Sequence, residues 1–243
     1  MCQPPQLMGR ESGEHWAGRL YMRRISIHAT RVFLRLGFAP NWLTAAMTVT
    51  GVVAGAVLLV PGLPGAVACA LLVQLYLLLD CSDGEVARWT RRTSVQGVYL
   101  DRLGHYFSEA ALMVGLGFRA AEGQPTGYAV LGSLAALGVV LIKAETDLVD
   151  VARARAGIPA ASEDSTQLRS PLVGRIRRFA RGLRIHSALG ATEASILLLV
   201  AALVDYVRDD LAATRFLIVF LAALAAGQLV LHLASILWSR RLR

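Results

Sequence analysis

Residues 45–79 read AAMTVTGVVAGAVLLVPGLPGAVACALLVQLYLLL and contain no charged side chain. One helical crossing of a bilayer needs about 20 apolar residues, so this stretch is too long for a single crossing. It is interrupted by Pro61-Gly62-Leu63-Pro64-Gly65, a sequence typical of a tight turn. The stretch therefore predicts two membrane helices joined by a short turn.

Four further segments are long enough to cross a bilayer. Gly123–Ile142 and Phe216–Ser239 are uncharged, whereas Gly97–Phe118 and Ile185–Val204 contain acids and a histidine. With 55% hydrophobic residues and a mean hydropathy of +0.52, the chain is too apolar for an ordinary soluble domain. We predict an all-α integral membrane bundle of six transmembrane helices over residues 39–243. The helices are expected at about 42–60, 65–92, 97–118, 125–150, 185–206 and 212–239.

The basic residues predict the orientation of this bundle. Residues 1–41 carry six arginines, residues 88–102 carry four, residues 143–184 carry Lys143 and eight arginines, and the last five residues carry three. With six crossings these segments share one side, and the positive-inside rule places that side, with both termini, in the cytoplasm. We therefore predict a multi-pass protein of the cell (plasma) membrane. Because the charge follows the loops, the pI of about 10.1 indicates contact with membrane lipids and not with nucleic acid.

Residues 1–38 are predicted to form a cytoplasmic segment that precedes the bundle. Leu20–Phe38 alternates arginines with Ile, Val, Phe and Leu, which favours an amphipathic helix lying on the membrane surface. The polar segment 157–184 is expected to be a cytoplasmic loop that ends in a surface helix. Three cysteines in a chain of this length do not indicate a disulfide framework.

Acidic residues gather at the expected ends of the second and third membrane helices. Asp80, Asp83, Gly84, Ala87 and Arg88 recur at helical spacing and share one face. After eight residues a second set with the same property follows, and it consists of Gly97, Asp101, His105 and Glu109. A short link makes two helices antiparallel neighbours, so we expect the two polar faces to meet at the cytoplasmic surface of the membrane.

This arrangement of carboxylates favours a divalent cation. Ionisable groups at the edge of a bilayer are costly and usually functional. Several carboxylates repel one another unless a cation lies among them, and oxygen ligands suit Mg²⁺, Mn²⁺ or Ca²⁺. A dication beside Arg88 is suited to binding a diphosphate, and the small residues leave room for a ligand to approach the backbone.

The same residues resemble a known family. DCSDGEVAR at 80–88, eight further residues and GVYLD at 97–101 are similar to the signature D-x-x-D-G-x-x-A-R…G-x-x-x-D-x-x-x-D of the CDP-alcohol phosphotransferases. Seven of the eight defining positions agree. Pro40-Asn41-Trp42-Leu43-Thr44 resembles the segment that opens the first membrane helix of the family, and the resemblance extends over about residues 35–240.

The resemblance implies an integral-membrane enzyme of phospholipid biosynthesis. Such an enzyme takes CDP-diacylglycerol or another CDP-alcohol, transfers its phosphatidyl group to a hydroxyl acceptor and releases CMP. It depends on Mg²⁺ or Mn²⁺, which the resemblance assigns to Asp80, Asp83 and Asp101. Members of the family are often homodimers.

The resemblance also implies two sets of binding residues. The CDP moiety is assigned to the signature residues Gly84, Ala87, Arg88 and Gly97, with Asn41 and Thr44. An acceptor phosphate is assigned to Lys143, Arg153 and Arg155, the last two within a run that resembles the basic end of the family's fourth helix. The alternative for these three cations is positive-inside charge.

His105 stands where the signature has its last aspartate, the residue taken to deprotonate or position the acceptor hydroxyl. Histidine is a competent general base, because its unperturbed pKa lies near 6.5. We expect His105 to be the catalytic residue, oriented by Glu109 one turn further along the same face. The alternative is a relative that lost turnover and acts as a lipid- or nucleotide-binding membrane protein.

The placement of the acids and two polar residues of the last helix bear on function and packing. A transporter would carry acids near the middle of several crossings, whereas Asp80, Asp83 and Asp101 cluster at one edge, which disfavours that function. Gln228 and His232 in the last helix are expected to form hydrogen bonds between helices.

Overall fold

The computed structural model describes residues 21–158 and 189–238. Within these ranges the regular structure is entirely helical, as predicted. The seven α-helices of these ranges are α1 Arg23–Arg35, α2 Pro40–Ala56, α3 Gly62–Trp89, α4 Val95–Ala120, α5 Gly127–Arg155, α6 Ala191–Arg208 and α7 Ala212–Trp238, and a 3-10 turn, Val57–Leu59, extends α2. The surface helix predicted within 157–184, the start of the helix expected at 185 and both chain ends lie outside the described residues.

Local sequence sets the helix boundaries. Pro40 is the first residue of α2, where its missing N–H costs no hydrogen bond. The turn predicted at Pro61 is present, and Gly62 there has φ of +74°, a conformation that glycine adopts without strain. Ser94 caps α4 by accepting a hydrogen bond from the backbone N–H of Gly97 at 3.0 Å.

Four helices are long and apolar enough to cross a membrane, judged over the described residues. They are α2 with its 3-10 turn, α3, α5 and α7. The other two helices expected to cross, α4 and α6, do not belong to this group because they carry more charged and polar side chains. The structure thus confirms the all-helical architecture of the described residues, and four of the six helices expected to cross have the length and apolarity of a span.

Helix α2 packs against both α3 and α4. A Cβ added to Gly115 of α4 would collide with the backbone of Gly55 in α2, and one added to Gly97 would lie 3.4 Å from Asn41 Oδ1. These contacts advance in the same direction along both helices. Helices α2 and α4 are therefore parallel and in close contact along their length, as small residues allow in membranes.

This packing changes one expectation. We expected the short link 90–94 to make α3 and α4 direct neighbours, yet the main packing partners of α4 are α2 and α5. Glycines allow the backbone of α4 to approach α2 closely, and α3 and α4 meet chiefly through side chains. Helix α5 then packs on α7, while α1 and α6 pack on α3.

Candidate functional site

The acidic side chains predicted to meet do so at one end of the bundle. His105 of α4 directs its Nε2 at Asp80 of α3, 3.2 Å from Oδ1, and lies 3.7 Å from Oδ1 of Asp101. All three side chains are partly exposed, so the cluster is open to a ligand. The predicted meeting of the two polar faces is confirmed for these residues.

Tyr76 positions the imidazole of His105. Its hydroxyl lies 2.5 Å from His105 Nδ1, and the two rings pack edge to face. Tyr76 is only 3% exposed, so this partner is held rigidly by the core. The expected orienting residue, Glu109, does not fill this role. Its carboxylate lies 3.0 Å from Lys143 Nζ, because α5 brings a cation to that face of α4.

Asp83 is buried, and protein groups already bind its carboxylate. The hydroxyl of Thr44 donates to Oδ2 at 2.6 Å, and the backbone N–H of Gly84 donates to Oδ1. These bonds tie α2 to α3 directly below the cluster. Thr44, predicted to help bind the CDP moiety, thus contacts the acidic motif itself.

Asp80, Asp101 and His105 have the geometry of a cation site. One potential ligand atom from each lies within 4.8 Å of the other two. Two carboxylates and an imidazole suit Mn²⁺ well and Mg²⁺ through the carboxylates. This set differs from the predicted Asp80, Asp83 and Asp101, since it contains His105 and lacks the hydrogen-bonded Asp83. The residues therefore fit a divalent ion. His105 would either bind that ion or lie next to it.

One small residue of the signature, Gly84, lies against the side chain of Arg88. The guanidinium of Arg88 lies over Gly84, where an added Cβ would come within 3.1 Å of Nη1. Ala87 is half-buried beside them, and Arg88 is exposed. Asn41 reaches the first turn of α4 at Gly97. The residues expected to bind the CDP moiety are thus arranged around the same end of the bundle.

The cations predicted to bind the acceptor lie on α5. Lys143 forms the ion pair with Glu109, and Arg153 and Arg155 lie in the last turn of the helix. Arg155 is exposed and Arg153 is half-buried. Further along α5, Asp147 accepts hydrogen bonds from Arg102 and Tyr106 of α4.

Sequence reasoning missed two residues of the site. Tyr76 lies one turn before Asp80, and this i, i+4 spacing was a usable signal. Glu85 is buried and accepts hydrogen bonds from Ser26 and Thr30 of α1, both at 2.7 Å. Because its partners lie 55 and 59 residues away in sequence, no local pattern pointed to it.

Residues 38–154, which contain nearly all of these side chains, match the family model described as CDP-alcohol phosphatidyltransferase. This segment of the chain is thus a match to a CDP-alcohol phosphatidyltransferase domain. Of the predicted site residues, Arg155 alone follows the matched segment.

Solved structures share the fold of this chain. The phosphatidylinositol phosphate synthase PgsA1 of Mycobacterium tuberculosis is similar in its apo form, with a TM-score of 0.56 and 19% identity over 87% of this chain and 95% of that one. The same protein with CDP-DAG bound gives a TM-score of 0.58 and 19% identity over 89% of this chain and 95% of that one. No curated protein matches the chain at the sequence level.

The family match over residues 38–154 and the four apolar helices indicate a membrane transferase of lipid synthesis. The signature of the CDP-alcohol phosphatidyltransferases accounts for the placement of Asp80, Asp101 and Arg88 at one end of the bundle. It leaves the histidine at position 105 as the feature that requires a chemical explanation.

Proposed function

We propose that the protein transfers the phosphatidyl group of CDP-diacylglycerol to a hydroxyl acceptor, with release of CMP, and that Mg²⁺ or Mn²⁺ supports the reaction. The convergence of ligand atoms from Asp80, Asp101 and His105 within 4.8 Å carries this proposal. The cluster lies at the same end of the bundle as Arg88 and the small residues of the signature, so a diphosphate and a cation would meet there.

The divalent ion, when bound, neutralises the diphosphate and makes CMP a better leaving group. Asp80 and Asp101 would hold it. Arg88 would bind a diphosphate oxygen, and Gly84 and Ala87 would leave space for the nucleotide to lie against α3. Asp83, fixed by Thr44 and Gly84, would contribute negative charge and rigidity next to the ion.

His105 would act on the acceptor hydroxyl through Nε2. Tyr76 occupies Nδ1, so Nε2 is the nitrogen that faces the reacting groups. A nitrogen and a carboxylate oxygen 3.2 Å apart require a proton or a cation between them. To act as a general base, His105 must carry no proton at Nε2 before the step, with Asp80 bound to the cation. It would then take the acceptor proton at Nε2, and the negative charge of Asp80 and Asp101 would stabilise the imidazolium.

The acceptor would approach from the α5 side. Lys143, Arg153 and Arg155 would bind its phosphate if it carries one. Lys143 is held by Glu109 at 3.0 Å, which keeps the ammonium at the face of α4 that also bears His105.

We further propose six crossings, with both termini and the site on the cytoplasmic side of the plasma membrane. The close contact of α4 with α2 along their length supports a crossing by α4, since α2 itself has the length and apolarity of a span. Helix α1 would lie on the membrane surface: Ile25 and Val32 are half exposed, and Ser26 and Thr30 face α3.

The proposal is tested by CMP release from CDP-diacylglycerol, with purified protein, a panel of hydroxyl acceptors and a Mn²⁺ titration. We expect metal-dependent release with a particular acceptor, and loss of release in Asp80→Asn. Silence of the wild type with every acceptor, combined with activity in His105→Asp, would favour the binding-only relative.

The Mn²⁺ titration also separates the two roles of His105. If the imidazole is the base, His105→Ala lowers kcat and leaves the half-saturating Mn²⁺ concentration unchanged, and His105→Asp restores part of kcat. If the imidazole is a ligand, His105→Ala raises the Mn²⁺ requirement. Full activity in His105→Ala would contradict both roles.

A further inference from the structure

A cavity lies at the opposite end of the bundle from the acidic cluster. Its volume is about 660 Å³, and its walls form where α2 and α4 end and where α3 and α7 begin. Along α3, eighteen residues separate Gly62 in this cavity from Asp80, which is about 27 Å of helix at 1.5 Å per residue. The cavity is therefore one membrane thickness away from the proposed reaction.

Arg119 lines this cavity and is buried, with 6% of its surface exposed. Its Nε has no hydrogen-bond partner among the described residues, and Nη1 reaches only the carbonyl oxygen of Val60, at 3.5 Å. A guanidinium has five N–H donors, and a buried cation without acceptors is unfavourable. An anionic acceptor in the cavity would complete these hydrogen bonds.

The buried acid near Arg119 is engaged elsewhere. Both oxygens of Asp205 accept hydrogen bonds from the first turn of α7, from the backbone N–H of Ala213 at 2.8 Å and of Thr214 at 3.0 Å. Asp205 thus caps α7 and does not supply the acceptors that Arg119 lacks.

The mouth of the cavity is acidic. Glu122 pairs with Arg215 at 3.1 Å, and Asp210 pairs with Arg208 at 3.1 Å. The backbone N–H of Ala212, followed by Arg208, holds the pKa of Asp210 below its ordinary value, so this carboxyl is ionised. Asp209 is a further exposed carboxylate beside it. The rim thus has three carboxylates against two arginines, and the buried Arg119 lies deeper, with the buried Asp205 near it.

We propose that this cavity binds a phospholipid with an ammonium head group, whose phosphate lies against Arg119 and whose ammonium lies among the carboxylates at the rim. Three of the four apolar spans begin or end here, which places the cavity at the depth of lipid head groups. Arg119 is buried and the carboxylates of Asp209 and Asp210 are exposed, so a head group whose phosphate contacts Arg119 can place its ammonium at the rim. Leu58, Leu59 and Leu63 supply the apolar wall for the acyl chains.

The test is lipid binding to the purified full-length chain in detergent, followed by native mass spectrometry. Phosphatidylethanolamine, phosphatidylglycerol and inorganic phosphate are the three probes. We expect phosphatidylethanolamine to bind best, Arg119→Gln to weaken both lipids about tenfold, and inorganic phosphate not to displace them. Asp209→Asn should remove the preference for phosphatidylethanolamine without loss of phosphatidylglycerol binding. Asparagine tolerates the φ of +55° found at this position.

Arg35→Gln is the matched control, since it removes an exposed arginine of α1 that does not line the cavity. It should bind both lipids as the wild type does, and all three variants should release CMP at the wild-type rate. Wild-type lipid affinity in Arg119→Gln, no preference between the two lipids, or displacement by inorganic phosphate would each overturn the proposal. If Arg119→Gln does not fold, Arg119→Lys, which keeps the charge with fewer donors, should weaken both lipids, and unchanged binding would overturn it equally.

Discussion

The hydroxyl of Thr44 on α2 donates a hydrogen bond to Asp83 of the acidic motif and so links α2 to that motif. Thr44→Val keeps the shape of the side chain and leaves Oδ2 of the buried Asp83 without its donor. We expect the free energy of unfolding to fall by about 1–3 kcal/mol, because a buried acceptor without a partner retains its desolvation cost. Thermal unfolding in detergent measures this change.

Thr50→Val is the control for that experiment. Thr50 lies on the same helix, is half-buried, and donates to the carbonyl oxygen of Ala46 in its own helix. We expect a change near zero. An equal loss of unfolding free energy in both variants would show that the hydrogen bond from Thr44 to Asp83 makes no specific contribution to stability.

Tyr76 is expected to matter for turnover more than for folding. Tyr76→Phe keeps the buried ring and removes the partner of His105 Nδ1, so the imidazole is free to rotate and to change tautomer. We expect kcat for CMP release to fall about 10–100-fold, the usual effect of losing a group that orients a functional histidine. Tyr106→Phe removes a hydroxyl that donates to Asp147 on the neighbouring face and should retain kcat. A Tyr76→Phe enzyme with wild-type kcat would exclude the positioning role.

Helical spacing in the sequence predicted the functional residues that lie on one face of a helix. Asp80, Asp101 and His105 follow one another at spacings that place them on two facing surfaces, and the structure brings them together. Tyr76 obeys the same spacing, but a tyrosine in an apolar run is ordinarily a packing residue. The pairing of Lys143 with Glu109 depends on how α5 crosses α4, which no spacing within either helix specifies.

At the scale of helices, close packing between α4 and α5 depends on two glycines. A Cβ added to Gly132 would lie 2.7 Å from both the Cα of Gly117 and the carbonyl oxygen of Met113. These are backbone atoms, so the helices themselves must move apart. We expect Gly132→Ala to destabilise the protein by about 1–3 kcal/mol and to lower activity, because α5 carries Lys143.

Gly227→Ala is the matched control on α7. Gly227 is also a helical glycine within an apolar span, but an added Cβ meets no atom within 4 Å. Since alanine is favoured over glycine in a helix, this variant should be neutral or slightly stabilising. Thermal unfolding of the pair separates the steric effect from intrinsic propensity, and equal melting temperatures would refute the close contact.

The N-terminal helix shows what a sequence pattern leaves out. The mixture of arginines and apolar residues predicted a helix around 20–38, and α1 is Arg23–Arg35. Its attachment to the bundle uses Ser26 and Thr30, two polar residues that turn inward to the buried Glu85. A hydrophobicity pattern assigns such residues to solvent, so it does not predict their contact with Glu85 on α3.

For the whole molecule, hydropathy identifies the helices whose charged residues lie near an end and leave a long apolar stretch. Helices α2, α3, α5 and α7 are apolar enough to be found by composition. Helix α4 carries Asp101, His105 and Glu109 and fails that criterion, although it lies along α2. The charged and polar side chains that α4 contributes to the site lower its mean hydropathy, so a hydropathy criterion does not identify α4 as a crossing.

The number of crossings is therefore the last property to test, and single cysteines decide it. In a background without Cys2, Cys69 and Cys81, the six-crossing topology predicts that Gln124→Cys and Leu211→Cys react with an impermeant maleimide outside intact cells. Thr93→Cys and Ala156→Cys should react only after the membrane is opened. Four crossings, by α2, α3, α5 and α7 alone, would keep Gln124→Cys inside and place Ala156→Cys outside. Thr93→Cys and Leu211→Cys have the same location in both topologies, so they verify that the membrane is sealed and that the reagent has access. Exchange of the labels at 124 and 156 would refute six crossings and the cytoplasmic orientation of the α5 arginines, without affecting the site formed by α3 and α4.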